Sequence, residues 1–250
     1  MVRFDMLLAG KIIAVEALYE STARFCKEYF APDGSTPDIS VSVTLADVAA
    51  ERIKSAEERR LEGLPPYDFP DPYLETLALY RRIAEGLLPY GIILFHGSSL
   101  SIDGQGIIFT AKSGTGKSTH TRIWRRVFGD RVRMINDDKP LLTITDREVT
   151  VHGTPWCGKH AIGENISAPL RSICVIERSP DNNIRRVNGA DALMRLLPQI
   201  YRIRTPDAMR QILGLTDKLL ASTPVYILGC NMEDSAATVA YGGMFDDLGN

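Results

Sequence analysis

The stretch Gln105-Gly-Ile-Ile-Phe-Thr-Ala-Lys-Ser-Gly-Thr-Gly-Lys-Ser-Thr119 decides the fold. Its second half, Ala111-x4-Gly116-Lys117-Ser118, has the [AG]-x4-GK-[ST] form of a phosphate-binding loop. Average residue usage yields such a match about 0.02 times in a chain of this length, so it is read as chemistry rather than as a glycine-rich turn. Gly114 and Gly116 let successive N–H groups face a phosphate, and a following helix adds its positive end. Lys117 reaches the β- and γ-phosphates, and Ser118 offers a hydroxyl to Mg²⁺. Ser113, Gly114, Thr115, Gly116, Lys117, Ser118 and Thr119 are the expected nucleotide-binding set. The apolar run Gly106 to Thr110 supplies the required strand before the loop, and Thr119 to Val127, closed by Gly129, the helix after it.

Upstream, Ser98 to Ile102 and Gly106 to Thr110 flank Asp103-Gly104-Gln105, which predicts an antiparallel hairpin feeding the loop. Ile92 to Phe95 reads as a short buried strand ending at His96-Gly97. Downstream, the apolar run Val132 to Ile135 ends in Asp137-Asp138, where a Mg²⁺-binding acid belongs beside such a loop. Two adjacent acids allow a division of labour. In the expected one, Asp138 joins Ser118 on the metal and Asp137 accepts the proton of an attacking hydroxyl, with exchange of the two roles left open. Lys159, in the loop His152-Gly-Thr-Pro-Trp-Cys-Gly-Lys-His160, is a candidate for neutralising charge on a transferred phosphoryl group.

Further out the chain is ordinary. Its 250 residues are 44% hydrophobic and 24% charged, enough for a sizeable core. A formal charge of -2 gives no basic field, which argues against nucleic acid or an anionic membrane as partner. Asp5, Gly10 and Lys11 interrupt the N-terminal apolar stretch, so it does not read as a signal peptide. Four scattered cysteines without metal spacing point to reduced thiols and a cytoplasmic setting. Strand-like alternation at Val2 to Met6 and Ile39 to Val43, with a helix over about 45–60, makes residues 1–65 a small α+β appendage. The four prolines between Gly63 and Pro72 mark a linker, and 66–250 is then the main domain, with Tyr73 to Leu88 its first helix.

The order FHGSSLSIDGQGIIFTAKSGTGKST over 95–119, followed by MINDDKP over 134–140, resembles the kinase domain of HPr kinase/phosphorylase, a fold related to phosphoenolpyruvate carboxykinase. The likeness covers roughly residues 90 to 180. The tail from Leu219 to Ala240 is similar to that of smaller kinases of the group, which act on peptides or free serine. The resemblance implies an α/β fold with a mixed, partly antiparallel sheet. It also implies ATP and Mg²⁺ as donor and cofactor, and His96 beside the catalytic Asp137. The acceptor it implies is a hydroxyl-bearing small molecule or a serine in a peptide or protein, and homo-oligomers occur in the group. Thr119 stands where HPr kinases carry Glu, and the loop 152–160 replaces their arginine-glycine-leucine-glycine signature. These two departures bear on HPr as substrate and on the reverse reaction, which the resemblance therefore does not carry over by itself. A nucleotide-binding regulatory NTPase is the alternative from another class.

Overall fold

The computed structural model describes residues 1–61, 63–112 and 114–245, and only the backbone of Lys159. Ser113 therefore lies outside the described residues, as does the Lys159 side chain. The chain divides by its own contacts into Met1–Pro89 and Tyr90–Asn250.

In the first unit, β1 (Val2–Leu8) and β2 (Lys11–Ala17) form an antiparallel hairpin, and β3 (Ile39–Ser42) joins β2 in parallel. Helices α1 (Glu20–Cys26), α2 (Leu45–Leu61) and α3 (Asp71–Leu87) complete it. The helix that follows the proline-rich stretch packs with the residues before it. Glu75 of α3 is fully buried and accepts hydrogen bonds from Leu18 N, Tyr19 N and Thr22 Oγ1, so it holds the backbone that leads into α1. Arg81 of α3 meets Glu51 of α2 in a two-pronged pair at 2.8 Å, with Glu51 only 4% exposed.

The second unit is a mixed α/β domain. Its strands are β4 (Ile92–Leu94), β5 (Ser98–Ile102), β6 (Gln105–Thr110), β7 (Val132–Asn136), β8 (Leu141–Ile144), β9 (Val149–His152), β10 (Ser167–Arg178), β11 (Asn183–Val187) and β12 (Val225–Cys230). Its helices are α4 (Lys117–Phe128), α5 (Gly189–Leu196), α6 (Pro206–Ser222) and α7 (Ser235–Phe245). The sheet runs β4-β8-β9-β10-β6-β5-β7, with β12 also on β10 and β11 on β12. β6 and β12 are parallel to β10, whereas β5, β7, β8 and β9 make antiparallel pairs. The β5–β6 hairpin turns through Asp103 and Gly104, both at positive φ (50° and 80°), the tight two-residue turn that suits twisted antiparallel strands. Gln105, placed in the turn by sequence, pairs with Ile102 instead.

One face of this sheet, through Leu100, Ile107, Phe109 and Leu228, packs on Ile123 and Trp124 of α4 and on Ala236, Ala237 and Ala240 of α7. The small residues of α7 let it lie close to the sheet. This burial fixes where α4 begins, and so where the glycine-rich loop ends. Among the described residues no helix is long and apolar enough to cross a membrane.

Candidate functional site

The loop 111–116 leaves the end of β6, a strand buried along nearly its whole length, and turns straight into α4. Gly114 and Gly116 lie at φ 75° and 125°. No L side chain adopts the second value comfortably, so Gly116 is required for the chain to enter the helix here. Gly116 is the N-cap and supplies no side-chain acceptor, so the first amides of α4 remain available to a ligand. Lys117 folds back over the loop, its Nζ 3.3 Å from Ala111 O. Thr115, Lys117, Ser118 and Thr119 are all part-exposed around this turn.

Arg178, which sequence reasoning passed over, steadies the loop from below. It donates to Gly114 O at 2.7 Å and to Thr115 O at 3.3 Å. Its signal lies in the pairing: Val175 of β10 stands level with Thr110 of β6, so three residues on β10 reaches the loop. Arg171, also on β10, donates to Met244 O and Phe245 O.

The acid turn at the end of β7 is organised by Asn136, which is fully buried. Its Oδ1 accepts from the amides of Asp138 (2.8 Å) and Lys139 (2.6 Å), and its Nδ2 donates to Thr154 O and Oγ1. Ser98 Oγ and Ser99 Oγ donate to the carbonyls of Asp137 and Asn136, and Gly97 N donates to Asp138 O. The strand-end acids are thus clamped from two sides. The loop after β9 closes over them: Gly158, at φ 69°, passes so near Asp138 that a Cβ there would stand 3.1 Å from the Asp138 Cβ. Trp156 and Cys157 are buried and anchor this loop.

The two aspartates face different neighbours. Asp138 Oδ1 lies 3.4 Å from His96 Nε2 and 3.1 Å from Lys139 Nζ. Asp137 Oδ1 is buried with no hydrogen-bond partner among the described residues. Asp137 lines a cavity of ≈ 230 Å³ together with Ser118 of α4. His96, expected beside Asp137, therefore meets Asp138. For Asp138, burial raises the proton affinity, but the His96 hydrogen bond and the Lys139 charge prevail and hold the carboxyl at about 2. For His96, the Asp138 hydrogen bond raises the value, but desolvation and the charges of Lys139 and Lys117 outweigh it and the imidazole titrates below its ordinary range.

His120 is 2% exposed, accepts from Trp124 Nε1 at 2.9 Å, and is pushed down to about 4 by burial. It stands four residues before Trp124 and three before Ile123, so the helical spacing already marked it as core-facing. His152 lies between Thr143 Oγ1 and Ser167 Oγ, apart from the Cys157 anchor.

No protein-family model and no curated protein sequence matches the chain. Among solved structures, the Hpr(Ser) kinase/phosphatase from Coxiella burnetii is similar to it, at 10% identity over 62% of this chain and 99% of that one, with a TM-score of 0.37. That is a distant likeness of fold, and no residue role rests on it.

Proposed function

We propose that the chain is a Mg²⁺-dependent kinase that transfers the γ-phosphoryl group of ATP to a hydroxyl. The observation that carries this reading is Asp137, one of whose oxygens is buried without a partner, lining the same cavity as Ser118, the first-turn hydroxyl after the glycine-rich loop. An orphaned buried carboxylate oxygen is costly and needs a ligand. A carboxylate and a hydroxyl are the hard oxygen donors that Mg²⁺ takes, with water and phosphate completing the set. Ser118 and Asp137 would hold the ion, which exchanges the roles first assigned to the two acids. What bound Mg²⁺ supplies is neutralisation of charge on the β- and γ-phosphate oxygens.

The remaining roles follow from the contacts. Lys117 and the free amides of the loop and of α4 receive the phosphates. The acceptor oxygen forms the new bond to the γ-phosphorus as the bond to the β–γ bridging oxygen breaks, and ADP leaves with that electron pair. The hydroxyl proton passes to the Asp138–His96 pair. A carboxylate held at about 2 is a weak base on its own. A loose transition state asks more for positioning than for proton removal, and the neutral imidazole shares the proton with Asp138.

The test is γ-labelled ATP and Mg²⁺ with purified protein and a bacterial extract split into macromolecular and small-molecule pools. We expect label in one pool, lost in Lys117→Ala and in Asp138→Asn. Release of free phosphate alone, with neither pool labelled, would replace the kinase by the regulatory NTPase.

A further inference from the structure

The cavity that holds Ser118 and Asp137 also takes the side chains of Arg122 and Arg125. Both are exposed, and among the described residues neither meets a carboxylate. Their neighbours differ: Arg126 pairs with Asp234, Arg131 with Asp103, and Arg133 with Glu164. Residues 118, 122 and 125 share one face of α4, with the arginines roughly 6 and 10 Å along the axis from Ser118. Favourable charge at a helix C-terminus accounts for Arg125 and Arg126 in the last turn, but not for Arg122 in the middle.

From this we infer that the phosphoryl acceptor is a small anionic hydroxyl compound, whose carboxylate or phosphate is bound by Arg122 and Arg125 in the Ser118–Asp137 cavity. The inference rests on the kinase reading above. Lys117 and the loop amides already serve the donor's phosphates, so two further guanidinium groups along the helix address a second anion. Arginine binds carboxylate and phosphate two-pronged, and a pair of them sets orientation as well as charge. Two cations face one carboxylate in this cavity, so it stays attractive to an anion even with Asp137 ionised. At ≈ 230 Å³ the space is below the ~300–1,000 Å³ of pockets for drug-sized ligands, which suits a metabolite better than a protein segment.

The test is equilibrium binding to the whole chain saturated with Mg²⁺ and a non-hydrolysable ATP analogue, using glycerol 3-phosphate and L-malate against neutral glycerol. We expect at least one anionic probe to bind ten or more times more tightly than glycerol. That advantage should fall at least tenfold in R122Q/R125Q and persist in R126Q, whose arginine pairs away from the cavity. Equal binding of all three probes, or an unchanged affinity in R122Q/R125Q, overturns the inference. So does a parallel loss of affinity for the ATP analogue, which would give the arginines to the donor. Binding is read here without turnover. A protein that shows Arg-dependent anion binding yet transfers no label therefore fails the kinase reading and not the anion site.

Discussion

Asn136 carries more of the site than any acid it presents. Its single side chain holds the amides of Asp138 and Lys139 and ties them to Thr154. Asn136→Ala strands these groups in a buried setting, and each orphan costs ~1–3 kcal/mol. We expect a matching drop in the urea midpoint together with loss of turnover, since both aspartates move with the turn. Asp137→Asn should behave in the opposite way. It replaces a carboxyl one of whose oxygens is buried without a partner, so the protein free of metal should be no less stable while Mg²⁺-dependent turnover disappears. An Asp137→Asn protein that is less stable in the absence of metal would show that the carboxylate is satisfied at rest. The acids themselves were legible in the sequence. Which neighbour each one meets was not, because that depends on the tilt of a single turn.

Between β6 and α4 the loop depends on Arg178, at the far end of β10. Arg178→Ala leaves the strand pairing intact but frees the carbonyls of Gly114 and Thr115. The expected result is about a tenfold rise in the ATP dissociation constant, ~1.4 kcal/mol, with melting almost unchanged. If ATP affinity holds, the loop is kept in shape by its own glycines and the core under α4. The hairpin, the loop, the helix after it and the β7 acids were all readable as local pattern. Strand β10 was not, since its parallel partners β6 and β12 come from distant parts of the chain. Helix α3 follows the proline-rich stretch, yet it belongs with the N-terminal residues because Glu75 and Arg81 find their partners there. Prolines mark where the chain bends; only buried contacts settle which body an element joins.

For the molecule as a whole, buried His120 and part-exposed His152 both contribute to acid stability. Burial brings His120 and His152 down to about 4, below the ~6.5 of an unfolded histidine. Between those values the unfolded chain binds more protons, so this stability is fully present above pH 6.5 and is lost as pH falls toward 4. The slope reaches ~1.4 kcal/mol per pH unit for fully buried His120, and less for part-exposed His152. Urea unfolding between pH 4 and 7 should show it. His120→Leu should flatten that slope and cost stability at pH 7, because Trp124 Nε1 loses its acceptor. A slope unchanged in His120→Leu would place the acid sensitivity elsewhere.

By itself the sequence determined the local pattern that short spacing encodes. Four residues between Ala111 and Gly116, a lysine and serine next to it, and two acids ending an apolar run are local facts, because strand, turn and helix onset are set by neighbours. The tertiary structure alone decided that Asp137 shares a cavity with Ser118 while Asp138 meets His96, and that Arg178 underpins the loop. Those outcomes turn on contacts across tens of residues. There, packing of α4 and α7 on the sheet and the burial cost of each polar group select one arrangement from the many that the local pattern permits.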